Sequence, residues 1–275
     1  MNTSFQRSAE KLIQLLEIME KLRSEQGCPW DKEQTFKTLI PFLIEEAYEV
    51  VDTLEKSDTS HLKEELGDLL FQIVFHAQLA REENQFDMSE VLQAIIDKLI
   101  RRHPHVFGDA KVKDAAEVIH NWEQIKDAEK KQRLDDSILA DVPASFPSLL
   151  KAYQLGKKAA KVGFDWPDTI GVFAKIKEEI QELEESIQNK EPMAIHEELG
   201  DLFFAIVNLS RHFKMNPEEA LRQTNEKFIR RFQFIEKKIR AEKKSWDDFS
   251  LKELDSFWDE AKHCEYNPQS STKTV

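Results

Sequence analysis

Residues 61–74, HLKEELGDLLFQIV, return as residues 194–207, AIHEELGDLFFAIV, with the hexapeptide EELGDL intact in both. Between Leu62–Val74 and Ile195–Val207, a constant shift of 133, nine of thirteen positions are identical. The same shift carries Glu46 and Glu49 onto Glu179 and Glu182, so four acids per half keep their spacing. Further along, Lys98, Arg101 and Arg102 match Lys227, Arg230 and Arg231 at a shift of 129, and Trp122 in NWEQIK matches Trp258 in FWDEAK at 136. Loop-length differences between two copies of one unit produce such small changes of shift, and a tandem duplication is the economical reading.

Around the repeat, apolar residues recur at three- and four-residue spacings, and only 7 glycines interrupt 275 residues. The spacing predicts an all-α chain, with helices over 5–25, 36–56, 60–83, 88–102, 114–131, 148–161, 169–189, 192–213, 217–242 and 250–263. Pro143 and Pro147 break helical hydrogen bonding between the halves. We expect a first helical-bundle domain over 1–135, a linker over 136–147, a second domain over 148–265 and a disordered tail over 266–275.

Composition excludes several classes. A net charge of -13 repels a phosphate backbone at long range, which argues against a nucleic-acid duplex as partner. Two cysteines, Cys28 and Cys264, form no CxxC pattern, so neither a disulfide framework nor a thiolate metal site is indicated. The first residues lack a signal-peptide core, and no run of about 18 apolar residues occurs. A cytoplasmic protein without membrane segments is expected.

Glu46 and Glu49, like Glu65 and Asp68, are three apart and project about 60° from one another around a helix. Phe42, Leu43 and Val50 flank Glu46 at helical spacing, and Leu62 and Leu69 flank Glu65, so both pairs lie within or beside apolar stripes. Two consecutive helices joined by a short connection pack antiparallel and bring the pairs toward each other. Four facing carboxylates repel one another and lose solvation unless protons or a cation neutralise them. Oxygen-only ligands favour a hard ion, Mg2+ or Mn2+, and Mg2+ takes remaining ligands from water and substrate phosphates. A phosphate ester or nucleotide is the expected substrate class. Gly67 and Gly200, inside the repeated helix, suggest close approach of another backbone or a ligand. Against this stands the reading of an ExxE or ExxD pair as a solvated helix face, which the repetition of Asp68 as Asp201 does not favour.

The pattern ExxE, fifteen intervening residues and ExxD within EELGD, together with GCPWDKEQTF (27–36), KVGFDW (161–166) and NEKFIRRF (225–232), resembles the MazG family of tandem-domain nucleoside triphosphate pyrophosphohydrolases. The resemblance runs from about residue 9 to residue 263. It implies the all-α fold of that family, a homodimer, and Mg2+-dependent hydrolysis of nucleoside triphosphates to monophosphate and pyrophosphate. Matched residue by residue, Glu179, Glu182, Glu198 and Asp201 correspond to the metal quartet of the second domain, and Glu46, Glu49, Glu65 and Asp68 to that of the first. Lys227 and Arg231 correspond to residues holding the triphosphate. Their four-residue spacing puts an ammonium and a guanidinium fork on one helix face. Asn225 is a candidate polar contact, and Glu182 a candidate for orienting or deprotonating water. Trp258 either stacks on a base or caps the core.

The copies differ where Ile96 stands for Asn225 and RRHPHVFGD (101–109) for RRFQFIEKK (230–238). We therefore expect the second domain to carry the main activity. Pro104 is expected to end its helix and to leave His103 and His105 in a turn, in a helix-end role rather than as metal ligands. Three rivals remain: a non-catalytic nucleotide-binding regulator, a helical adaptor, and a di-iron bundle using Glu117/His120 and Glu260/His263. The last pairs are offset by 143 rather than 136, which speaks against a shared origin.

Overall fold

The periodic segments become helices, and no strand forms among the residues that the computed structural model describes, 3–131 and 137–266. The chain divides into two units, Met1–Arg133 and Leu134–Val275. The first contains α1 (Thr3–Arg23), α2 (Pro29–Glu33), α3 (Ile40–Glu55), α4 (Thr59–Glu82), α5 (Met88–Arg102), α6 (Pro104–Phe107) and α7 (Ala115–Lys131). The second contains α8 (Ser148–Lys161), α9 (Thr169–Asn189), α10 (Pro192–His212), α11 (Pro217–Glu242), a 3-10 turn (Trp246–Asp248) and α12 (Leu251–Tyr266). Of the expected tail, Tyr266 closes α12, and residues 267–275 lie outside the described residues, as does the expected first-domain boundary at residue 135.

The region 36–56 departs from the expected continuous helix. Pro41 lies in the first turn of α3, where its missing N–H removes no bond, and the chain before it is a turn. There the hydroxyls of Thr35 and Thr38 accept from each other's backbone N–H groups at 3.3 and 2.8 Å, taking donors that a helix would have used. The short helices α2 and α6 were not expected, since neither is long enough to show a period. His105 consequently lies within α6 rather than in a turn. His103 ends α5 and precedes α6, with its Nδ1 2.7 Å from the Leu99 carbonyl oxygen, a helix-end role.

In each unit two long helices form an antiparallel hairpin. α3 packs on α4 across a connection of three residues, and α9 packs on α10 across two. Asp58 begins α4 by accepting from Ser60 and His61 backbone N–H groups, and Lys190 ends α9 in the left-handed region at φ 58°. α1 covers α4 in the first unit, whereas α8 covers α10 and α11 in the second. The first core centres on Met19, Leu39, Val74, Phe75 and Leu79. Buried apolar residues of the second include Val172, Ala205, Val207, Ile235 and Ile239.

Apolar faces remain open. Leu92, Ile95, Ile96 and Leu99 are exposed along α5, and Leu221, Phe228, Ile229 and Phe232 along α11. The expectation of another backbone against the repeated glycines is not met within the chain: a Cβ built at Gly67 or Gly200 meets nothing within 4 Å. Each helix surface is open there, so packing inside one chain does not require a glycine. Replacing Gly67 by Ala should stabilise the isolated chain by about 0.5–1 kcal/mol through helix propensity. Urea denaturation of Gly67→Ala without ligand, at concentrations that dissociate any dimer, tests this; a destabilised variant would overturn it.

Candidate functional site

The two hairpins convert sequence spacing into clusters. Because α3 and α4 are antiparallel, Glu46 and Glu49 near the middle of α3 meet Glu65 in the first half of α4. Each offers a carboxylate oxygen, all within 4.8 Å of one another. Glu179, Glu182 and Glu198 form the same arrangement on α9 and α10. Both clusters combine a less exposed pair with one exposed acid, Glu49 or Glu182. Asp68 and Asp201 are exposed and lie beside the clusters, close enough for their charge to act on Glu46 and Glu65 and on Glu198 respectively.

Like charge and desolvation act together on both clusters. Burial, followed by repulsion from Asp68 and Glu49, pushes the Glu46 carboxyl above the ordinary carboxylate range. Burial and then Glu49 and Asp68 do the same to Glu65, and burial and then Glu182 and Glu179 to Glu198. Converging oxygen donors whose charged forms disfavour one another suit a hard divalent cation, which resolves the repulsion by shared ligation.

The second cluster contains a residue that the sequence reading missed. Lys175, one turn before Glu179, places its ammonium 2.7 Å from the Glu179 carboxylate and 2.8 Å from that of Glu178. Glu179 is only 3 % exposed, so this pair sits where screening by water is weak. The signal was present as KIKEE, a Lys–Glu pair at four-residue spacing, but such pairs are common on solvated faces. The matching position of the first copy, by the shift of 133, is Phe42.

A second group lies on α11 and α12. Arg231 is largely buried and donates through Nε and Nη2 to one carboxylate oxygen of Glu265, at 2.9 and 2.8 Å. Its guanidinium lies over the Trp258 ring at 5.6 Å, and Phe228 meets the same ring at 5.1 Å. Trp258 is thus half-buried, held by an aromatic and a cationic neighbour. Lys227 is half-buried one turn before Arg231, and Asn225 is exposed. The first unit repeats the arrangement: Arg102 pairs with Glu129 at 2.5 Å and lies 5.7 Å from the Trp122 ring. The altered sequence after Arg102 therefore leaves the Arg–Trp–Glu contact in place. Neither ExxH pair enters a carboxylate cluster: Glu260 binds Lys238 at 2.5 Å, and Glu117 accepts the Lys113 backbone N–H at 2.8 Å.

Comparison with known proteins adds to this geometry. Residues 34–107 and 170–234 match the MazG nucleotide pyrophosphohydrolase domain, and each segment holds one quartet with one Lys–Arg pair. The nucleoside triphosphate pyrophosphohydrolase of Escherichia coli strain K12 is 45% identical over 258 residues, 93% of this chain and 98% of that protein. The nucleoside triphosphate pyrophosphohydrolase/pyrophosphatase MazG of Thermotoga maritima is 43% identical over 249 residues, 90% of this chain and 94% of that protein.

A raised carboxyl pKa has a definite sign in stability. A group that binds its proton more tightly when folded adds stability below its unfolded pKa, and that contribution is lost as pH rises through the folded value. Without divalent cations, Glu198→Gln should therefore raise the thermal midpoint at pH 7 and change it little at pH 4. Mg2+ should raise the wild-type midpoint at pH 7, and the increment should shrink as acid protonates the quartet. Calorimetric melting across pH, with and without Mg2+, checks both.

Proposed function

The chain belongs to the MazG nucleotide pyrophosphohydrolase family, and from that premise we propose that it hydrolyses nucleoside triphosphates to monophosphate and pyrophosphate at its second cluster. The observation that carries this reading is the convergence of Glu179, Glu182 and Glu198 on one point, next to Asp201. These residues would hold Mg2+, or Mn2+ as a second choice, since all the donors are oxygens. Such a cation supplies charge neutralisation of phosphate oxygens and a more acidic water.

The side chains account for the remaining steps. Lys227 and Arg231, a point charge and a guanidinium, bind the β- and γ-phosphates and neutralise the pyrophosphate as it leaves. Water attacks the α-phosphorus, the bond from that phosphorus to the oxygen bridging to the β-phosphate breaks, and pyrophosphate departs. Glu182, the exposed member of the cluster, orients the attacking water and accepts its proton. Asn225 adds a polar contact, and the half-buried Trp258 packs against the nucleoside. Glu46, Glu49, Glu65 and Asp68 form a weaker site in the first domain.

The open apolar faces of α5 and α11 support a homodimer, because two-fold packing removes such stripes from water. No described helix is long and apolar enough to cross a membrane. Incubation with a panel of nucleoside triphosphates and Mg2+ should yield monophosphate and pyrophosphate. Glu198→Gln should lower the rate on the order of 10²–10³-fold, the usual effect of removing a charge-stabilising group at a reacting centre, while Glu65→Gln should leave most activity. Diphosphate plus inorganic phosphate, or binding without turnover, would overturn the reading in favour of another phosphohydrolase or a nucleotide-binding regulator. Sedimentation velocity should give twice the 32.2 kDa chain mass; a monomer at micromolar concentration would reject the dimer.

A further inference from the structure

The repeat extends one residue beyond those first aligned. The shift of 136 that relates Trp122 to Trp258 also relates Glu129 to Glu265, so each last helix carries an aromatic and, two turns later, a carboxylate. Both carboxylates perform the same task. Glu265 engages Arg231 through two hydrogen bonds and lies 3.7 Å from Arg230, and Glu129 engages Arg102 and Arg101 at 2.5 and 2.7 Å. In both units the more buried arginine also lies over the tryptophan, at 5.6 and 5.7 Å. We propose that Glu265, with Glu129 as its counterpart, is a positioning residue that fixes the phosphate-binding arginine in its productive orientation. The proposal rests on the reading that Arg231 holds the triphosphate.

The geometry favours positioning over competition for the arginine. A guanidinium has five N–H groups in a planar fork. Glu265 takes both of its hydrogen bonds from Nε and Nη2 while the guanidinium lies over Trp258, so neither bond uses Nη1. The Arg231 side chain is 12 % exposed, so it is already confined before substrate arrives. An unconstrained arginine would lose rotamer freedom on binding, and the carboxylate and ring remove much of that cost in advance. Arg230 and Arg101, 60 % and 54 % exposed, flank the same acids without contacting the ring and serve as their outer counter-charges.

The test compares Glu265→Gln, Glu265→Asp and Arg231→Gln in the full-length protein, with nucleoside triphosphate and Mg2+, measuring kcat and KM separately. Circular dichroism and thermal melting confirm folding, and calorimetry with inorganic triphosphate reads affinity without turnover. Glu265→Gln should raise KM roughly tenfold, as expected for loss of one charge-assisted contact, with kcat within about twofold and weaker triphosphate binding to match. Glu265→Asp, which keeps the charge, should recover part of the loss. A role confined to stability would lower the active fraction and hence kcat, leaving KM in place, and would overturn the proposal. A lower KM in Glu265→Gln would also overturn it, by showing that the carboxylate competes with substrate. If Arg231→Gln weakens binding while Glu265→Gln does not, the positioning role alone falls. If Arg231→Gln changes nothing, the reading of Arg231 falls and the proposal with it.

Discussion

Mutual repulsion among carboxylates on facing helices is the constraint that organises each unit. A helix hairpin would ordinarily bury apolar side chains along its seam, and both hairpins do so around Phe75 or Val207. Part way along, the seam instead holds Glu46, Glu49 and Glu65, or Glu179, Glu182 and Glu198. Desolvation and like charge oppose ionisation there. Connections of three and two residues keep each pair of helices side by side. Stability given up at the seam would be regained on binding a cation.

Much of this architecture was legible in the sequence because helices announce themselves by period and by punctuation. The segment 169–189 is bounded by the cap Asp168 and by Lys190, and its extent matches the structure. The segment 36–56 did not match, since its first residues satisfy the same apolar spacing while threonine hydroxyls compete for the backbone. α2 and α6 were beyond reach of any periodic argument, being five and four residues long. For the glycines the sequence allowed another backbone or a ligand, and Gly67 and Gly200 face open space in the single chain, which removes only a backbone of the same chain.

The carboxylates were readable because duplication acted as an internal control, separating repeated acids from the many that merely face water. Where the copies differ that control is lost. Lys175 has Phe42 as its counterpart, so nothing in the repeat drew attention to it, and its pairing with Glu179 required coordinates. Glu265 and Glu129 were repeated but stand seven residues past the tryptophans on a charged helix, where an acid is ordinary. Only the arginines reaching back to them gave the acids meaning.

The Lys175–Glu179 pair makes the two halves electrically unlike. In the first cluster the matching position is Phe42, so the charge that raises the Glu46 and Glu65 carboxyls meets no ammonium from that position. In the second, a tethered counter-ion already offsets part of that charge, and its partners hold the lysine proton more firmly. A cation bound there would share Glu179 with an ammonium group carried on four methylenes. Two copies thus keep the same acids, while at the position one turn before Glu46 or Glu179 only the second carries a cation.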